Sequence, residues 1–151
     1  MNKIMIPFLI LTSLAVGIII GGYLFATSQP RSILTIHRCE NCLSRADLLG
    51  LMASVGMQHF SGLIPFVIFE TNKTVVIKHP FATERIHYVF FPKKDIKNIE
   101  EISEANAQYL TDAYFAARRI IEEEKLSKYR FLTNGPGYQD VTYLHFHLVA
   151  E

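Results

Sequence analysis

The C-terminal segment from Tyr143 to Val149 sets two histidines, His145 and His147, two residues apart among apolar neighbours. In an extended strand, residues at i and i+2 point to one face, so both imidazoles can converge on a single bound group. Leu144, Phe146, Leu148 and Ala150 fall on the opposite face and read as core. A neutral imidazole nitrogen can attack phosphorus, and a second imidazole at i+2 can donate a hydrogen bond to the charge that develops. Strand histidines without a chemical role satisfy the same spacing, which leaves both readings open. Cys39 and Cys42 are the other reactive pair. Their C-x-x-C spacing fits half of a metal site, a redox pair or one tight disulfide, and does not choose among them.

The elements that must position these groups follow from periodicity. Val141–Ala150 reads as the last strand and Tyr129–Thr133 as its partner, joined through a turn at Asn134, Gly135, Pro136 and Gly137. Upstream, Phe66–Glu70 and Thr74–Lys78 form a hairpin of β-branched and aromatic residues, and Ile86–Phe91 is a further strand ended by Pro92. Asn98 and Glu101 resemble a capping box. Ile99, Ile102, Tyr109, Leu110, Ala113, Ala117 and Ile120 then make one apolar stripe, so a long helix is predicted from there to about Lys125. Apolar spacing over Ser44–Met57 predicts another helix, with Gly56 as its stop. Five antiparallel strands with one long covering helix, and no alternation of strands with crossover helices, make an α+β domain.

Composition bounds the chemistry. The chain has 151 residues and a formal net charge of +1 with both signs interspersed, so it lacks the charge to grip a nucleic-acid polymer, while a small anion remains compatible. From Ile4 to Phe25 there is no charged residue. A helix of about 22 residues would reach roughly 33 Å, enough for a hydrocarbon core of about 30 Å. Lys3 ahead of it and the small residues Ala26, Thr27 and Ser28 behind it also suit a cleaved signal peptide. The apolar run exceeds the usual length of such a signal, which favours a single-pass membrane anchor. Lys3 on one flank and Arg31, Arg38 and Arg45 on the other leave the side of the globular domain open. The predicted division is an anchor over 1–28, a linker with the cysteines and a membrane-proximal or dimer-contact helix over 29–64, and a catalytic-type domain over 65–151.

The stretch 134–149, with Asn134, the glycine turn, Gln139, Tyr143, His145 and His147 in that order, resembles the active-site segment of the histidine-triad (HIT) family. Phe66–Glu70 and the strand running into Pro92, Lys93 and Lys94 resemble that family's upstream strands, so the resemblance covers about Pro65 to Ala150. It implies a HIT-like fold and a nucleotide-phosphate hydrolase or nucleotidyl transferase working through a covalent nucleotidyl-histidine. By position, His145 is the nucleophile and His147 the phosphate-contacting histidine. Asn134 and Gln139 match phosphate-binding amides.

Three positions depart from the family pattern. Tyr143 replaces the first histidine of the triad and would line the phosphate site. Asp140 stands where many members have a serine that serves the leaving group, and as a carboxyl group it could supply the proton there. His79 replaces the acid that holds the ribose hydroxyls. These departures support a second reading, a membrane-anchored nucleotide-binding or interaction module with little turnover; a thiol-redox role for the cysteines is a third.

No cofactor is required by the resemblance. In zinc-binding branches the ligand positions correspond here to Cys39, Cys42, Asp95 and Tyr143, with His37 or His59 near enough in sequence to complete a set, so zinc and a disulfide both stay open. The implied partners are a nucleotide or nucleotide conjugate, membrane lipid through the N-terminal helix, and a second copy in a homodimer.

Overall fold

The computed structural model describes residues 5–25 and 45–151. Cys39, Cys42, His37 and the predicted short extended stretch Ile33–Ile36 lie outside those residues. The first element, α1, is the helix Met5–Phe25. Its stretch Ile6–Phe25 is long and apolar enough to cross a membrane, and none of it is buried against the rest of the chain.

Helix α2 spans Arg45–His59. It therefore runs through Gly56, which is not the stop the sequence suggested: Phe60 N–H still bonds the Gly56 carbonyl at 2.9 Å, and the chain leaves through a 3-10 turn at Ser61–Leu63. A helical glycine costs only about 1 kcal/mol, which neighbouring hydrogen bonds can offset.

Strands β1 (Val67–Glu70), β2 (Thr74–Lys78) and β3 (Ile86–Pro92) are followed by helix α3 (Ala107–Glu123), then β4 (Arg130–Leu132) and β5 (Phe146–Ala150). The five strands form one sheet in the order β1-β2-β3-β5-β4, and every neighbouring pair is antiparallel. This is the α+β arrangement expected.

Two boundaries differ from expectation. Asn98 caps a 3-10 turn at Ile99–Glu101, where its side chain accepts from Glu100 N–H at 2.8 Å, and α3 starts only after a second 3-10 turn at Glu104–Asn106. Ile99 accordingly stays exposed, while Ala113, Ala116, Ala117 and Ile120 carry the buried stripe of α3. Strand β5 begins at Phe146, five residues later than predicted, because residues 141–145 take their hydrogen bonds elsewhere. Leu144 N–H reaches the Ile96 carbonyl at 2.7 Å, and Tyr143 N–H that of Val141 at 2.8 Å.

Alternation along the strands divides the side chains between two layers. Val76, Phe90, Phe146 and Leu148 face α3 and make the main core with Ala113, Ala116, Ala117, Ile120 and Leu144. On the other face Val75 and Tyr143 pack with Met57 of α2, flanked by Ala53, Val67, Ile77 and Phe91. Thus α2 covers one end of the face that carries His145 and His147. The rest of that face holds the candidate site.

Candidate active site

Sheet register explains which histidines meet. His87 on β3 sits opposite Val149, and His147 on β5 sits opposite Val89, so the two histidines are diagonal neighbours on one face. Long side chains on such diagonals reach each other. His87 Nε2 and His147 Nδ1 lie 2.9 Å apart, and the His147 ring meets His145 edge-on with centroids 4.9 Å apart. His79, in the loop after β2, stacks nearly parallel on His87 at 4.4 Å. Its Nδ1 accepts from Phe81 N–H at 3.3 Å. Four imidazoles therefore run in one file from the loop to the last strand. Of these, His87 was legible in sequence only as part of a strand motif, since its partner is sixty residues away.

His145 is the most constrained member. Its Nδ1 is 2.6 Å from the Tyr143 carbonyl. A carbonyl oxygen can only accept, so Nδ1 carries the proton and Nε2 is left with a lone pair. The ring packs beside Phe91 at 5.4 Å. Thr133 on the β4 side donates its hydroxyl to the His145 carbonyl at 2.6 Å, which fixes the backbone where β5 begins. Sequence reading gave no signal for Thr133. Burial lowers the pKa of His145 below the usual histidine value; the bond to Tyr143 and the charge of Asp140 oppose that shift only partly.

Burial, followed by the neighbouring charges of His145, His87 and His79, lowers His147 further, to about 4. Its Nε2 is buried without a hydrogen-bond partner. His87 is also lowered, by burial and by His79, against an opposing pull from Glu84. Glu84 Oε2 lies 3.3 Å from His87 Nδ1, within ion-pair reach though outside hydrogen-bond geometry. His87, His145 and His147 are thus biased toward neutral imidazole, the form that can attack.

The other sequence candidates fall into place unevenly. Asp140 is exposed and close enough to His145 for its charge to be felt. Asn134 is half-buried in the β4–β5 loop. Gln139 donates from Nε2 to the Lys97 carbonyl at 3.2 Å, so one of its two N–H groups is spent tying that loop to the segment after β3. Gly137, at φ +87°, gives the loop a left-handed step that a side chain would strain.

Tyr143 requires correction. It is fully buried, and its hydroxyl donates to the Pro92 carbonyl, so it braces the end of β3 instead of lining a phosphate site. Asp95, the other described residue at a family zinc position, is 3% exposed. His59, the other described histidine considered for zinc, packs on Tyr23 of α1 at 5.3 Å. Among the described residues no cluster of three or more His, Cys, Asp or Glu side chains is arranged to hold a metal ion.

Residues 65–151 match the family model described as "Scavenger mRNA decapping enzyme C-term binding". An uncharacterized HIT-like protein from Buchnera aphidicola is 32% identical over 96 residues, covering 59% of this chain and 84% of that protein. The chain belongs to the histidine-triad family. Among solved structures, a HIT family hydrolase from Clostridium thermocellum is 32% identical with a TM-score of 0.55, over 60% of this chain and 83% of its own. A histidine triad nucleotide-binding protein from Candida albicans is 26% identical with a TM-score of 0.51, over 58% and 66%. Both α1 and α2 precede the matched residues of this HIT protein.

Proposed function

We propose that this HIT protein is a membrane-anchored nucleotide-phosphate hydrolase or nucleotidyl transferase that works through His145. The observation that carries the reading is the 2.6 Å bond from His145 Nδ1–H to the Tyr143 carbonyl, which fixes the tautomer with Nε2 free. Nε2 attacks the phosphorus next to the nucleoside, forming an N–P bond as the bond from phosphorus to the leaving oxygen or nitrogen breaks. The leaving group takes a proton, which we assign to Asp140 at the exposed edge of the site. Water or another acceptor then attacks the same phosphorus, the N–P bond breaks, and the proton of the acceptor returns to the site. His147 donates to a non-bridging phosphate oxygen, with His87 behind it able to pass the proton on. Asn134 and the remaining N–H of Gln139 hold the phosphates. His79 takes the place near the sugar, although its stacking on His87 makes it a support for that ring as well. Zinc at Cys39 and Cys42 is not needed for any of these steps.

The related structures, a HIT family hydrolase and a histidine triad nucleotide-binding protein, support this class of substrate. Replacing His145 with Ala should lower turnover of nucleotide phosphoramidates, phosphoesters or dinucleotides by roughly a thousandfold or more. Unchanged turnover would remove the proposal. The second reading, a nucleotide-binding module with little turnover, is favoured by Gln139 being engaged at Lys97 and by His79 standing where an acid is expected. It gains if the intact protein binds nucleoside monophosphates yet turns over none of these substrates. A homodimer belongs to the proposal too and is read by light scattering in detergent.

A further inference from the structure

Helix α2 is apolar on its outer face as well as its inner one, where Val55 and Met57 are buried. Its polar side chains are used inward: Asp47 accepts from Thr142 Oγ1 at 2.9 Å, and the fully buried Ser54 hydroxyl accepts from Gln58 Nε2 at 2.7 Å. Three of its large apolar side chains nevertheless stay exposed. Leu48, Leu49 and Met52 on α2, with Phe60, Leu63 and Phe66 just beyond it, are 44–82% exposed. Helix α3 exposes Tyr114 and Phe115 as well, but alongside the ion pairs Arg118–Glu122 and Arg119–Glu123 at 2.7 Å each. A concentrated apolar surface like that of α2 marks an interaction site.

We infer that the outer face of α2 and the turn after it rest on the lipid bilayer that α1 crosses. This rests on reading α1 as a membrane span. The occupant is indicated by continuity with that span. Tyr23, near the C-terminal end of α1, packs against His59 at the C-terminal end of α2, so Phe60 and Leu63 follow from the point where the span ends. Tyrosine is favoured at that depth, and Leu, Met and Phe suit the boundary between headgroups and chains. Because Asp47 holds Thr142, three residues before His145, the bilayer contact also keeps the histidine file next to the membrane surface.

The chain contains no tryptophan, so a single introduced one reports its own surroundings. Four full-length variants, Leu14→Trp, Met52→Trp, Leu63→Trp and Glu122→Trp, would be placed in phosphatidylcholine vesicles with and without chain-brominated phosphatidylcholine. The inference expects Trp fluorescence at positions 14, 52 and 63 to lose most of its intensity to brominated lipid and shift to shorter wavelength. Position 122 should stay unquenched by lipid and open to acrylamide. Quenching at 14 with none at 52 and 63 overturns the docking and leaves the anchor standing. No quenching at 14 overturns the anchor and the docking with it. Shielding of 52 from acrylamide without lipid quenching assigns the face to a second copy of the chain and overturns the bilayer as occupant.

Discussion

At the scale of the residue, the site depends on keeping imidazoles uncharged. His147 is held at about 4 by burial and by its three histidine neighbours, against about 6.5 in an unfolded chain. The unfolded state therefore binds more protons between those values. The contribution of neutral His147 to stability is complete above about pH 6.5 and is lost as pH falls toward 4. Discounted for partial solvent screening, it is on the order of 1 kcal/mol. His147→Asn should flatten the fall in the urea midpoint between pH 6.5 and 4 relative to the unaltered protein; parallel curves would contradict the assignment. Since burial lowers His145 as well, the acid limb of kcat/KM should lie below the ordinary histidine range, which a pH–rate profile reads directly.

At the scale of the element, the β4–β5 loop leads the chain into His145. Gly137 takes φ +87°, where an added Cβ meets no neighbour but strains the backbone. Gly137→Ala should thus cost about 1–2 kcal/mol in thermal unfolding and lower kcat several-fold in the folded protein. A stable variant with unchanged kcat would show that the loop conformation does not matter. The strands β1 to β3 were legible in sequence because β-branched and aromatic residues alternate there around the three-residue turn of Thr71, Asn72 and Lys73. His145 and His147 were legible because the apolar back of Leu144, Phe146 and Leu148 fixes their face. The late start of β5 was not, since it depends on Tyr143 turning into a cluster with α2, a contact that strand periodicity does not encode. The late start of α3 escaped for a local reason: Asn98 and Glu101 stabilise a 3-10 turn with the same cap chemistry that opens an α-helix. His87 needed the register of β3 against β5, which sequence spacing does not supply.

At the scale of the whole molecule, a HIT domain over residues 65–151 carries two helices ahead of its matched region, one apolar along its length and one lying over the sheet. The second helix packs at one end of the histidine-bearing face, through Met57 against Val75 and Tyr143. The most direct test of the central claim uses the full-length chain in detergent or vesicles, mixed with a nucleotide phosphoramidate or dinucleotide, quenched within the first turnovers and weighed intact. The account predicts a mass gain of one nucleoside monophosphoryl group, mapped to His145 and absent from His145→Asn. Turnover with no such adduct, or an adduct on a different residue, would contradict it.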